Sequence, residues 1–244
     1  MKTYKLEIAY DGTRYSGWEK QPGRETIQGK LESVLSLMQG SEVEVIGAGR
    51  TDAGVHARAM VASVHLEIDK TPEEIQAYMN RYLPEDICVN DLTIASDRFH
   101  ARYKAVGKLY RYTCWTGALK PVFERKYMTV LEGEPDVEAM KKAAEILVGE
   151  HDFKAFCGNP KFKKSTVRTV DSIEILKKKD RLILNFHGDG FLQNMVRIMT
   201  GTLLEVGFHR MTEEEVKRAL KEKDRQLAGP TAPPQGLCLI RVDY

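Results

Sequence analysis

Val43-Glu44-Val45-Ile46-Gly47-Ala48-Gly49-Arg50-Thr51-Asp52-Ala53-Gly54-Val55-His56-Ala57 sets a short apolar run against a glycine-rich turn, and a second apolar run, Ala59 to Ile68, leaves that turn. The order is strand, turn, strand. A phosphate-binding loop would need G-x-x-x-x-G-K-[ST], or a third glycine in register and an acidic residue after a βαβ unit. Neither is present, so Gly47-x-Gly49 does not read as a nucleotide triphosphate site. What the turn does carry is Asp52, two residues from Arg50. A free aspartate titrates near about 3.9 and is ionised at neutral pH. A neighbouring cation and exposed backbone N–H groups favour the charged form. Such a carboxylate suits a nucleophile or a general base. It equally suits a turn aspartate that bonds its own backbone.

Outward from the turn, strands and helices alternate irregularly. Thr3 to Tyr10 has period two, with Tyr4, Leu6, Ile8 and Tyr10 on one side. Ile27, Leu31, Val34, Leu35 and Met38 share a helical face over about Thr26 to Gln39, and Gly40 stops it. Thr71-Pro72-Glu73-Glu74 is a capping box with proline at the first helical position. Its helix carries Ile75, Tyr78, Met79 and Tyr82 and ends before Pro84. Strands are expected at Ile87 to Ala95, Val106 to Trp115, about 167–176, 181–187 and Leu237 to Val242. Further helices are expected from Asp136 to Gly149, from about Leu192 to Val206, and after Thr212. This mixture without a βα repeat predicts an α+β fold with a largely antiparallel sheet and helices on one side. The boundary falls near residue 104, giving halves 1–104 and 105–244, with the Asp52 loop in the first and the tyrosine strand and arginine helix in the second. Asp11-Gly12 and Asp189-Gly190, each after a strand, make a faint internal echo.

Composition excludes several classes. The chain has 244 residues, 42% hydrophobic and 30% charged, which describes a globular protein with a core of its own. No apolar run reaches about 18 residues, so no membrane span is expected. The polar–apolar alternation at the start is unlike a signal peptide, and a cytoplasmic protein is expected. Cys88, Cys114, Cys157 and Cys238 are scattered and read as buried thiols, with no metal-site spacing. The net charge is +2, yet the basic residues gather in Arg98–Lys104, Lys161–Lys164 and Lys177–Lys179, which allows a basic face. Lys177–Lys179 taken alone suits a hairpin turn.

Two further constellations stand out. Lys108-Leu109-Tyr110-Arg111-Tyr112 interleaves aromatics with cations, a pattern that stacks unpaired bases while holding phosphates. It is also the pattern of an ordinary strand with one aromatic face on the core. In Gly190-Phe191-Leu192-Gln193-Asn194-Met195-Val196-Arg197, the arginine falls inside an apolar helix, where a charge is costly unless paired. Asp52 is a candidate partner; a side chain reaching out to solvent is the alternative.

Gly49-Arg50-Thr51-Asp52-Ala53-Gly54-Val55-His56, Tyr110-Arg111-Tyr112 and Gly190-Phe191 to Met195-Val196-Arg197 together resemble the defining motifs of the TruA family of tRNA pseudouridine synthases. The likeness runs nearly end to end, through Tyr10-Asp11-Gly12-Thr13, Gly17-Trp18, Gln21-Pro22, Phe99-His100-Ala101-Arg102, His151-Asp152-Phe153 and Ala228-Gly229-Pro230-Thr231-Ala232-Pro233. Glu19 departs from it, since the family usually carries glutamine after the tryptophan. The resemblance implies two ferredoxin-like-type halves with a basic cleft between them. It also implies isomerisation of uridine to pseudouridine at positions 38, 39 and 40 of the tRNA anticodon stem-loop, without cofactor or metal. Asp52 would be the essential carboxylate. Tyr110 would stack on the target uracil and help at its C5 proton. Arg197, together with Arg50, would orient Asp52 and bind substrate. The partners implied are tRNA and a second copy of the chain. A non-catalytic RNA-binding protein and a hydrolytic nucleosidase are the competing readings, separated by base isomerisation and by free uracil.

Overall fold

Tyr4, Leu6, Ile8 and Tyr10 are all buried along β1 (Lys2–Tyr10), as their alternation predicts. The computed structural model describes all 244 residues, in ten strands and five α-helices. They form two units, Met1–Val106 with Cys238–Tyr244, and Gly107–Leu237. No helix is long and apolar enough to cross a membrane.

The first unit continues with α1 (Ile27–Gln39), β2 (Val45–Gly47), β3 (His56–Leu66), α2 (Pro72–Tyr82) and β4 (Ile87–Ala95). Thr26 caps α1 and Thr71 closes a complete capping box on α2, so local chemistry starts both helices where it predicts. β1 lies between β4 and β3 and is antiparallel to both. β2 pairs antiparallel with β3, Val45 opposite Val64 and Gly47 opposite Ala62. The strand order β4-β1-β3-β2, built from a βαββαβ chain, is the ferredoxin-like arrangement. α1 and α2 touch each other, which puts both on one face of that sheet. Their buried residues, Ile27, Leu31, Val34, Leu35, Ile75 and Met79, form that layer. Tyr82, expected on the buried face of α2, is exposed and packs at a tilt against Tyr78, ring centres 4.5 Å apart.

The second unit holds β5 (Gly107–Trp115), β6 (Thr129–Val130), α3 (Val137–Leu147), β7 (Gly149–Asp152), β8 (Val167–Lys178), β9 (Arg181–Gly188), α4 (Met195–Gly207) and α5 (Glu213–Glu222). β9 pairs antiparallel with β5 on one side and β8 on the other, and β7 extends β8. Strand β5, helix α3, the β8–β9 hairpin and helix α4 therefore repeat the path of β1, α1, β2–β3 and α2. The repeat is topological: Asp11-Gly12 follows β1 and Asp189-Gly190 follows β9, which are not equivalent strands, so the echo between those dipeptides marks no equivalence. Lys179 takes a positive φ of 49° in the β8–β9 turn, and Lys177 binds Glu134 at 2.8 Å, so this basic run forms a hairpin end, as its composition predicts.

The last strand, β10 (Leu237–Asp243), runs parallel to β3, with Cys238 opposite His56 and Leu239 opposite Ala57. The partition read from sequence carried the second half through to residue 244; residues 238–244 instead belong with the first unit. The same pairing starts β3 at His56, three residues before its expected start. α4 begins at Met195 and not near Leu192, because Asn194 before it is left-handed, with φ 59°. The thiols also divide. Cys114 and Cys157 are buried, and burial pushes the Cys114 thiol up to about 12. Cys88 is exposed, contrary to the expectation, because β4 buries its neighbours Ile87 and Val89 on the alternate positions.

Tyr112, fully buried in β5, donates to the Pro233 carbonyl at 2.8 Å and lies 2.6 Å from Thr129 Oγ1. Tyr112→Phe strips both partners inside the second unit. A loss of about 1–3 kcal/mol is expected, read as a lower urea midpoint at unchanged slope. An unshifted midpoint would show that the two hydrogen bonds contribute nothing.

Candidate active site

The Asp52 loop, between β2 and β3, is held by contacts from the end of β1. Thr51 is buried; its Oγ1 lies 2.8 Å from Tyr10 Oη, and its carbonyl accepts from the Trp18 N–H at 3.1 Å. The Asp52 carbonyl accepts from the Val55 N–H at 3.1 Å, which closes a four-residue turn. Gly54 occupies its third position with φ +78°, the place where a type II turn calls for glycine. His56 Nδ1 accepts from the Gly12 N–H at 3.0 Å and lies 3.1 Å from Asp11 Oδ1. Asp11 itself caps the 3-10 turn Gly12–Arg14. Asp52 is half-buried at the centre of this frame. Gly47 is required by packing: a Cβ there would sit 2.5 Å from the Trp18 ring. That glycine seats the tryptophan, which in turn anchors Thr51.

Arg50 was expected to sit against Asp52. In the structure its guanidinium is engaged by Glu19, and both side chains are well exposed, at 61% and 45%. The pair borders a cavity of about 270 Å³ within the first unit, lined also by Trp18, His100, Arg102 and Tyr103. His100 and Tyr103 stack at 4.2 Å with planes 29° apart. Thus part of the Arg98–Lys104 cluster does face a concave surface. Composition pointed to that cluster; nothing local in the sequence pointed to the stacked pair or to the Glu19 contact.

Tyr110 and Arg197 belong to the second unit. Tyr110 lies on β5 opposite Phe186 of β9, is 7% exposed, and meets Phe191 edge-on at 5.4 Å. Its ring is therefore fixed before any ligand arrives. Tyr112, two residues on, is core, so the aromatic strand is part packing. Arg111, on the other face, donates from Nε to Asn185 Oδ1 at 2.9 Å, and Asn185 donates to Glu174 at 2.7 Å. Arg197, among buried Met195, Val196, Ile198 and Met199 of α4, donates from Nε to the Ala232 carbonyl at 2.7 Å. Its Nη1 donates to Asn194 Oδ1 at 3.0 Å, and its own carbonyl accepts from the Ala232 N–H at 3.1 Å. The segment Ala228–Pro233 is thus the seat of Arg197. Arg225 binds that segment in turn, through the Gly229 carbonyl at 2.9 Å and Thr231 Oγ1 at 3.1 Å.

No group of three or more histidine, cysteine, aspartate or glutamate side chains is placed to hold a metal ion. What the residues offer is a carboxylate on a rigid turn, arginines, and ordered aromatic rings.

The family described as tRNA pseudouridine synthase matches residues 8–104 and 143–244. Proteins named tRNA pseudouridine synthase A are similar over the full length. That of Bacillus sp. (strain KSM-64) is 48% identical, covering 100% of both chains. That of Clostridium kluyveri is 44% identical, again over 100% of both. That of Geobacter sp. (strain M21) is 44% identical over 100% of this chain and 99% of its own.

If Gly54 is there for its left-handed turn, Gly54→Ala costs about 1–2 kcal/mol in chemical unfolding, and Gly54→Asn costs less because asparagine tolerates that region. Equal losses in the two variants would contradict the turn assignment.

Proposed function

The chain belongs to the tRNA pseudouridine synthase family, and from that membership we propose that Asp52 is the carboxylate that opens the reaction. The protein is an isomerase that converts uridine to pseudouridine in tRNA. The N1–C1′ bond breaks, the uracil turns, a C5–C1′ bond forms, the C5 proton leaves and N1 gains one. Nothing is oxidised or reduced, so the reaction needs no redox cofactor. Attack at C1′, attack at C6 and proton removal at C2′ are three ways in, and each uses an ionised carboxylate on the sugar–base junction.

The observation that carries the reading is the frame around Asp52. Thr51, Val55 and His56, on both sides of it, are bonded to Trp18, Tyr10, Gly12 and the turn itself. A preorganised group costs little reorganisation when the bond breaks. A target uridine must leave its stack to be reached, at a cost of a few kcal/mol. Tyr110 is assigned the stacking of that base and help at the C5 proton; such contacts recover about 1–3 kcal/mol each. Its edge-on contact with Phe191 keeps the ring ready. Arg197, seated by the Ala232 carbonyl and Asn194, orients the reacting groups, and Arg50 binds the RNA backbone. The target nucleotides are uridines 38, 39 and 40 of the anticodon stem-loop, the enzyme acts as a homodimer, and it works in the cytoplasm. The first two assignments follow from family resemblance, and the third from the tRNA substrate.

The test uses tRNA transcripts tritiated at uracil C5. Tritium is released by the wild-type protein, without free uracil, and Asp52→Asn lowers the rate by about 10⁴-fold or more. Release from transcripts with cytidine at 38, 39 and 40 falls to background. Turnover by Asp52→Asn would end the assignment of the carboxylate. Sedimentation at micromolar concentration should give twice the chain mass; a single-chain mass would end the homodimer.

A further inference from the structure

The Glu19–Arg50 contact places an acid against a cation that the proposed reading gives to RNA. Both side chains stand half in solvent, and both border the cavity that Trp18, His100, Arg102 and Tyr103 also line. Cations and a stacked aromatic pair beside a concave surface are what a nucleotide backbone and an unpaired base require. An anion among them opposes that purpose. We propose that Glu19 is a built-in competitor for Arg50: it occupies the guanidinium in the free protein and must be displaced by an RNA phosphate, which weakens tRNA binding and blunts its dependence on salt.

The physics is that of two anions and one cation. An exposed ion pair is only slightly stabilising, so Glu19 yields to a backbone phosphodiester, which carries the same single charge, accepts the same two parallel N–H bonds and is held in place by the rest of the bound RNA. After displacement the carboxylate stays tethered next to Trp18, close to the incoming phosphate, and repels it. A phosphate bound by a free arginine releases its condensed counterion; one bound by an arginine taken from a carboxylate leaves that carboxylate to recruit a cation. The net ion release from this contact is therefore near zero in the native chain. Glutamine at position 19 keeps the shape, removes the charge and restores the release.

This inference rests on the assignment of Arg50 to RNA, and the experiment separates the two. Binding of an unmodified tRNA transcript is measured against salt for the wild type, Glu19→Gln, Arg50→Gln and the double variant, all carrying Asp52→Asn to stop turnover. Glu19→Gln is expected to tighten binding up to about fivefold at low salt, the range open to one exposed pair. It should steepen the slope of log K against log salt by about 0.7–0.9. In the Arg50→Gln background, where only the repulsion is left to remove, the same change should give a clearly smaller gain in both. With Asp52 restored, the gain should appear in KM at unchanged kcat. Unchanged or weaker binding by Glu19→Gln overturns the proposal, as does an equal gain without Arg50. If Arg50→Gln alone leaves binding intact, the assignment of Arg50 to RNA falls, and the competition falls with it. Activity in the Asp52→Asn protein would strike the catalytic assignment alone.

Discussion

The register of β3 is the constraint on which the Asp52 loop depends. β1 pairs along one of its edges, Leu6 opposite Ala62 and Tyr4 opposite Val64. β2 pairs with the same stretch from the other side, Gly47 opposite Ala62 and Val45 opposite Val64. β10 takes the beginning of that edge, at His56 and Ala57. A strand slips in steps of one residue, and each step turns every side chain to the opposite face. β3 is buried along most of its length, so both faces resist the slip. The eight residues from Ala48 to Val55 must bridge from β2 to β3 with both ends set. That leaves Asp52 little choice of position, and Tyr10, Trp18 and Gly12 remove most of what is left.

Charge around this frame is distributed by burial. Glu32 on α1 is buried, and it is satisfied twice: Oε1 accepts from the Val45 N–H at 3.1 Å and Oε2 meets Lys20 at 3.0 Å. An acid so placed helps to hold β2 against α1, and removing either partner would strand it. Asp86 does similar work at the other end of β1, where Tyr15 donates to it at 2.6 Å and Arg14 meets it at 2.7 Å. Burial and that carboxylate both push the Tyr15 hydroxyl up, so it stays a donor across the working pH range. The exposed pair Glu19–Arg50 differs in kind. Its members are wet, so the pair can exchange partners at little cost.

Elements with local causes were legible from sequence. Thr26, Thr71, Asp136 and Thr212 each accept a backbone N–H of the helix they were expected to start. The alternation in β1 and the hairpin of β8 and β9 were read for the same reason: their pattern lies within a few residues. What escaped was non-local. The start of β3 depends on a strand that arrives some 180 residues later in the chain. The start of α4 depends on the left-handed backbone of Asn194, which an apolar helical period does not record. Of the candidate site, Asp52 and Arg197 stood out by chemistry in an unusual setting, a carboxylate in a glycine turn and a cation in an apolar helix. The role of Ala228–Pro233 as the seat of Arg197 did not, since it works through a backbone carbonyl that any residue would supply.

The aromatic strand shows why the same pattern can be both core and site. Tyr110 and Tyr112 share a face of β5 and differ by one step of the pleat. Tyr112 faces Thr129 and Pro233, and its hydroxyl is spent on them. Tyr110 lies opposite Phe186 in the β5–β9 ladder and meets the Phe191 ring edge-on, a contact between rings that fixes its plane. The period of the strand cannot distinguish the two, because the difference lies in what β9, the 129 strand and the 228–233 segment bring to each position. The glycines divide in the same way: Gly47 makes room for Trp18 and Gly54 closes a turn, and both serve the carboxylate by holding its neighbours in place.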